Sequence, residues 1–435
     1  MSTASGPRVL LSAYQCGPGM GSVSQIGWEW YSRLAARLPV TLVTHVRNRE
    51  ALTNAGAPIG DSEIIYIDTE WFAGPLYRFA KKLFPYSEHS VFLISSLDFF
   101  FYDWSAVRLL KRRMKQGEQW DLAHAVTPVS TMAPTGLHTL GLPVILGPLN
   151  AGLGTPAGFD EFLKKDSTWL YPVRNFGKLI DAVIGSTRNA TTILTATRAT
   201  VSSIKLRYRR RCVQMLENGI DLNRFKPSPW PAPPAAGNPL KILFVGRLVP
   251  FKAISLLLEA AARVRAEFPV EVTIVGDGPM AGEWKDKAES LGIADQTFFK
   301  GALSLDAVAA EMQRAHVFCL PSVRESGGAV LLEAMASARP CIAVDFGGPA
   351  EIVDDGVGSL IPPFNSGQVI NGITETLRDL VNHPSEWKAR GEEGRRRAEL
   401  LFGWDAKVDS AVRLYQDLLK PAPEVSINVV ANFAR

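Results

Sequence analysis

Short, almost wholly apolar runs recur along this chain, each closed by glycine or proline and followed by a longer stretch of helical period. Such runs read as strands buried on both faces, an environment that a parallel sheet covered by helices provides. In the first half they are Arg8 to Tyr14, Val40 to Val46, Glu63 to Ile67, Asp121 to Val126, Pro143 to Pro148, Thr191 to Ala196 and Cys212 to Glu217. The alternation then stops at Lys226 to Pro239 (KPSPWPAPPAAGNP), which can continue neither a helix nor a sheet ladder and reads as a linker. It resumes in Leu240 to Gly246, Glu271 to Gly276, Thr297 to Gly301, His316 to Pro321 and Pro340 to Asp345, with amphipathic helices such as Ala253 to Phe268 between them. The fold class predicted is α/β, two tandem Rossmann-like domains over residues 1–225 and 240–403, their parallel sheets facing a central cleft. In open parallel sheets, ligands bind at the C-terminal ends of the strands.

A length of 435 residues exceeds what one core usually supports, which agrees with two domains. With 46% hydrophobic residues the chain is far from disordered composition. The longest apolar candidate for a membrane span, Val91 to Trp104, is short and interrupted by Ser95, Ser96 and Asp98. Met1 to Pro7 has no apolar core of a signal peptide, and Cys16, Cys212, Cys319 and Cys341 lie far apart, so a reducing, cytoplasmic setting is expected. A net charge of +4 is too small to argue for a nucleic-acid partner. It hides an asymmetry: residues 1–220 carry 24 basic against 16 acidic side chains, and the remainder 23 against 27. The first half is therefore expected to meet something anionic.

The strongest constellation is Arg324 to Pro340 (RESGGAVLLEAMASARP), where Glu325 and Glu333 stand eight residues apart. A strand, a glycine loop and a helix would place the amides of Ser326, Gly327, Gly328, Ala329 and Val330 at a helix N-terminus, which favours an anion. Glu325 would then sit at the mouth, with Glu333 about two turns into the helix, both suited to accepting hydrogen bonds from hydroxyls. Two solvated glutamates on one helix face fit the same spacing. A second constellation, Gly246 to Ala253 (GRLVPFKA), puts Arg247 and Lys252 directly after a strand, where two cations match a diphosphate; a surface pair capping the strand is the plainer alternative.

Taken together, in this order and spacing, these patterns resemble the family 4 glycosyltransferases, retaining enzymes of the two-domain GT-B architecture. There a G-R-L-x-x-x-K segment precedes E-x(7)-E by some 70 residues, and here Glu325 follows Lys252 by 73. The Gly276-Asp277-Gly278-Pro279 turn between them, Asn218 to Phe225, and Leu401 to Trp404 also resemble family segments. The resemblance implies that Arg247 and Lys252 hold the donor diphosphate, that Glu325 meets the donor sugar and that Glu333 meets the ribose, with Gly276 and Gly278 on the donor side. It further implies a helix over residues 404–420 that crosses back to the first domain. Two departures stand out: this chain reads Glu325-Ser326-Gly327-Gly328 where the family commonly reads E-G-F-G, and Ala253 replaces the usual glycine after Lys252.

In the first domain a glycine loop, Gly17, Gly19 and Gly21, follows the opening strand, and Ser22 with Gln25 fits a capping box. By resemblance that loop faces the diphosphate and acceptor; a tight strand–helix turn is the plainer reading. His124 ends a strand where the family often carries H-x-H-x-P, and it is a catalytic candidate by resemblance, although a lone histidine there is usually structural. Asn150, in the Gly147 to Gly152 loop, is an acceptor-side candidate. The resemblance implies a nucleotide-diphosphate sugar donor, a glycan or lipid-linked glycan acceptor, no metal and no further cofactor. An epimerase of the same architecture and a non-catalytic nucleotide-sugar binder remain as alternatives. Residues 71–115 carry many aromatics with eight basic against three acidic side chains. That pattern suits either a peripheral contact at the inner face of a membrane or helices packing into the core.

Overall fold

The computed structural model describes residues 6–83, 97–154, 156, 158, 159, 162 and 173–420. Within them, strands stand at all twelve predicted runs. Those before the linker are β1 Val9–Ala13, β2 Val40–His45, β3 Glu63–Ile67, β4 Leu122–Thr127, β5 Val144–Leu149, β6 Thr192–Thr195 and β7 Cys212–Gln214. Those after it are β8 Leu240–Val245, β9 Val270–Val275, β10 Thr297–Gly301, β11 Val317–Leu320 and β12 Cys341–Val344. A further strand, β13 Gly358–Ile361, has too few apolar residues to signal itself. It forms because it pairs along β12, where Gly358 stands beside Cys341. That edge-strand pairing, not the local pattern, decides it.

The strand order is β3-β2-β1-β4-β5-β6-β7 in the first sheet and β10-β9-β8-β11-β12-β13 in the second, with parallel pairing throughout. In each sheet the winding reverses beside the first strand, between β1 and β4 and between β8 and β11. Loops at such a point part toward opposite faces and leave a crevice at the strand ends. The two sets of loops meet. Arg198, after β6, pairs with Glu351 at 3.1 Å, and a methyl on Gly347, after β12, would fall 2.8 Å from Leu153, after β5.

The second domain has one continuous apolar core, which Leu216, Ile220 and Phe225 enter from the near side of the Pro-rich stretch. That stretch is held against the domain. Arg339, fully buried, donates to the Ser228 hydroxyl at 2.6 Å and to the carbonyls of Gln313 at 2.7 Å and Met312 at 3.0 Å. The Trp230 indole donates to the His316 carbonyl at 3.0 Å.

The helix Trp404–Leu419 leaves the second domain and packs on the first. Trp404, Val408, Ala411 and Tyr415 share a core with Ile26, Trp30 and Leu34 of the Ser22–Ala35 helix. At its edge Arg37 bonds Asp405 at 2.6 Å and Asp409 at 2.8 Å. The crossing is double, because the Ile220 amide donates to the Phe402 carbonyl at 2.9 Å and the Trp404 amide to the Ile220 carbonyl at 3.3 Å.

This docking corrects the expectation for His124. The ring is fully buried, with Nε2 2.6 Å from the Gly147 carbonyl and Nδ1 2.6 Å from the Tyr415 hydroxyl. Burial pushes its pKa down to about 4, so it is neutral; the carbonyl can only accept, which places the proton on Nε2 and makes Nδ1 the acceptor of the Tyr415 O–H. With both nitrogens used, His124 is a tie between β4 and the returning helix and offers nothing to a substrate. Replacing Tyr415 by Phe leaves Nδ1 buried and unpaired. The expected cost is about 1–3 kcal/mol, read as a lower urea midpoint; an unchanged midpoint would remove this tie from the docking.

Candidate active site

Two loops of the second domain build the site at its switch point. After β8 the chain makes a short turn at Pro250–Lys252 and enters the helix Ile254–Arg265 through Ala253, which is left-handed at φ 48° and fully buried. A glycine there would relieve the backbone but leave the methyl's place in the core empty, which accounts for the alanine. The Val323 amide donates to the Phe251 carbonyl at 3.0 Å, tying this turn to the loop after β11. The tie brings Lys252 Nζ onto the Glu325 carboxylate, an ion pair whose side chains are only 13% and 15% exposed. A pair this shielded is stronger than a surface pair, yet the ammonium keeps donors for a second anion. Arg247 is exposed and makes no ion pair among the described residues.

Gly276 and Gly278 lie against another stretch of backbone. A methyl on Gly276, at φ 133°, would fall 1.9 Å from the Gly246 carbonyl oxygen, and one on Gly278 2.4 Å from that of Leu248. Their role is to let the loop after β9 lie against the Gly246–Leu248 backbone and fix where Arg247 leaves it.

After β11 the chain runs through Glu325, Ser326, Gly327 and Gly328 into the helix Ala329–Ala336. Gly328, left-handed at φ 58°, occupies the cap position, where a side chain would otherwise accept from the first amides. The amides of Ser326 to Val330 consequently have no acceptor among the described residues. Glu325 lies in the loop, and Glu333 is the fifth helical residue, one turn in where two were expected. Glu333 makes no hydrogen bond among the described residues, and burial pushes its carboxyl up to about 7 against the pull of Arg224. Glu325 is shielded in its ion pair and Glu333 is half-buried, so neither is a fully solvated residue on a helix face.

From the first domain, Gly17, Gly19 and Gly21 lead into the Ser22–Ala35 helix. The capping box does not form: Gly21 stands at the cap, the Gln25 amide takes the Gly21 carbonyl at 2.9 Å, and the Gln25 side chain turns to Glu29 at 2.7 Å. The exposed start of this helix is left with uncapped amides. Asn150 follows β5 and donates to the buried Glu217 at 2.5 Å. Glu217 and its neighbour Lys407 give no motif in the sequence and emerge only from the packing. Among the described residues no three His, Cys, Asp or Glu side chains stand together as a metal set.

Residues 231–394 match the family model described as glycosyl transferases group 1. An MMP alpha-(1->4)-mannosyltransferase from Mycolicibacterium hassiacum is 34% identical over 170 residues, 39% of this chain and 40% of that protein. A D-inositol 3-phosphate glycosyltransferase from Geodermatophilus obscurus is 35% identical over 214 residues, 45% of each chain. The matches thus span less than half the length of these curated relatives. The crystal structure of Anabaena HepE in complex with UDP shares the fold over 94% of this chain and all of its own, with a TM-score of 0.61 and 16% identity. The second domain of this chain is therefore similar to the group 1 glycosyl transferases, and the whole chain shares the fold of such two-domain structures.

Proposed function

We propose that the chain is a retaining glycosyltransferase moving a sugar from a nucleotide-diphosphate donor to an acceptor, a glycan or lipid-linked glycan. The observation that carries this reading is the shielded Lys252–Glu325 pair, set beside the uncapped amides of Ser326 to Val330 at the β8/β11 switch point. A diphosphate entering there draws Lys252 and the exposed Arg247, and its oxygens accept from the free amides. Glu325, released by Lys252, turns to the hydroxyls of the donor sugar. Glu333, desolvated and without a donor of its own, takes the ribose hydroxyls. As the sugar–phosphate bond breaks, charge grows on the leaving diphosphate, and cations and amides already in place stabilise it there. These groups carry that charge without a metal. Retention follows if the acceptor attacks from the face the diphosphate leaves, with the leaving phosphate taking the acceptor's proton.

Lys252→Ala removes a charge facing the diphosphate. A charge-assisted hydrogen bond at a shielded site is worth roughly 1.5–3 kcal/mol, so kcat/KM is expected to fall about 10- to 150-fold. A thermal-shift panel of UDP, GDP, ADP and their sugars identifies the donor, and turnover with and without acceptor separates transfer from epimerisation. Undiminished efficiency in Lys252→Ala overturns the site.

The two glutamates are expected to fail differently. Ribose contacts are equal in ground and transition states, so Glu333→Gln mainly raises the donor KM, whereas Glu325→Gln mainly lowers kcat and leaves free nucleoside diphosphate binding intact. The ionised Glu333 is the form that accepts two ribose O–H groups. Its pKa of about 7 means that affinity for the nucleotide sugar weakens as pH falls from 8 to 6, and Glu333→Gln abolishes that slope. Titrations of both variants across this range check the assignment, and a reversed pattern exchanges the two roles.

A lipid-linked acceptor is supported by the surface of residues 71–115, of which 84–96 lie outside the described residues. The helices Glu70–Leu83 and Asp98–Lys115 bury Phe99 and Tyr102 but leave Trp71 68% and Trp104 58% exposed. Phe72 and Phe101 stack between them at 3.8 Å, with Arg78, Lys81, Lys82, Arg108 and Lys111 on the same two helices. Phe99 and Tyr102 thus pack into the core, while Trp71 and Trp104 are left free to meet a membrane surface. No described helix is long and apolar enough to cross a membrane, so the contact we propose is peripheral. Binding to anionic vesicles is expected to fall with salt, and about tenfold or more in Trp71→Ala/Trp104→Ala, since each indole contributes a few kcal/mol of apolar burial. Equal recovery of the unaltered chain with neutral and anionic vesicles at low salt removes this contact.

A further inference from the structure

Glu217 follows β7 on the first domain's side of the cleft and is 4% exposed. Oε1 accepts from Asn150 at 2.5 Å, while Oε2 is buried with no hydrogen-bond partner among the described residues. The backbone on either side is pinned by Lys407 of the returning helix, itself 4% exposed. Its ammonium donates to the carbonyls of Leu216 and of Asn218, the latter at 2.7 Å, and lies 4.7 Å from the centre of the Trp404 ring. Directly opposite stands the turn that carries Glu325. A methyl on Gly327 would fall 2.2 Å from Glu217 Oε1 and 2.5 Å from Asn218 Nδ2, so both side chains touch the bare glycine backbone.

A buried carboxylate with one oxygen unpaired is a poor stabiliser compared with an amide of the same shape. Asn150 would donate equally well to a glutamine. The charge at position 217 therefore matters toward the charged groups around it, which are Lys407 from the returning helix and Glu325 from the loop after β11. We propose that Glu217 is a positioning residue of the donor site: from the first domain it seats the Ser326–Gly328 turn and sets the charge that Glu325 meets. This rests on the reading of Glu325 as the contact to the donor sugar. In the free protein Lys252 balances Glu325. Once a diphosphate takes Lys252, Glu325 is left between a like charge and whatever O–H donors enter the cleft, and the sugar hydroxyls supply them. Domain docking through Lys407 is thereby linked to sugar recognition.

The test is Glu217→Gln, which keeps shape and the Asn150 contact while removing the charge. Turnover with the nucleotide sugar is expected to fall roughly 10- to 100-fold, the scale of a small misplacement in a reacting complex, while nucleoside diphosphate affinity stays within about twofold. The acid limb of the pH–rate profile is expected to move to lower pH. Burial holds the Glu217 carboxyl above its usual range, so its titration leaves the profile with the substitution, and Lys407 loses its opposing carboxylate and releases its proton more easily. A purely structural role would scale the rate and leave the profile in place. Gly327→Ala probes the contact from the other side: its methyl has no room, so turnover falls, and Glu217→Ala in the same chain restores part of it. If Glu217→Gln does not fold, this second pair decides, and additive losses overturn the inference. An unmoved profile in a folded Glu217→Gln overturns the inference and leaves the donor reading standing. An unaltered chain that binds no nucleoside diphosphate overturns both.

Discussion

The return of the Trp404–Leu419 helix to the first domain is the constraint on which the rest of the molecule depends. Without it the chain would cross between the two sheets only once, near Ile220, and loop contacts such as Arg198–Glu351 would alone set the width of the cleft. With it the crossing is double, held by backbone bonds between Ile220 and the Phe402–Trp404 segment. Trp404, Val408, Ala411 and Tyr415 bury their apolar surface in the first domain's core. Burying such side chains contributes a few kcal/mol each, enough to make one body of two domains that inter-domain polar contacts alone would leave mobile.

That docking also explains the buried polar groups near the interface. His124 is used up by Gly147 and Tyr415. Lys407 is buried against carbonyls flanking Glu217, and Glu217 touches the turn of Gly327. A chain of contacts thus runs from the last helix to the loop bearing Glu325. In the second domain a parallel chain runs from the close approach at Gly276 to the exit of Arg247, and from Phe251 to Val323. Glu325 stands where the two chains meet, and Lys252 meets it there.

Much of the candidate site is legible in the sequence because it lies on local strand–loop–helix units. Arg247 and Lys252 follow β8, and Glu325 and Glu333 bracket the start of the Ala329–Ala336 helix, so their spacing alone brings them to the strand ends. The exceptions are those where a neighbour overrules the local pattern. Ser22 and Gln25 have the spacing of a capping box, but Gly21 takes the cap position and Gln25 prefers Glu29. Gly276 and Gly278 resemble ligand-binding glycines, and it is their approach to another backbone that requires them. His124 sits where a catalytic histidine would, but a tyrosine 291 residues away claims its ring.

Residue order by itself determined the α/β class, the two sheets and the placing of basic and acidic side chains at the strand ends. Each of these follows from periodicity, from glycine and proline, or from short spacings, and all are properties of neighbours in the chain. Only the tertiary structure decided which of those side chains are desolvated, paired or exposed. The carboxyl of Glu333 rises to about 7 through burial, Lys252 is shielded on Glu325, and Trp71 and Trp104 stay in water while Phe99 and Tyr102 do not. Glu217 and Lys407 are 190 residues apart in sequence and belong to one cluster because the last helix folds back. Burial and charge depend on what surrounds a group in space, and that is set by long-range packing rather than by the residues on either side.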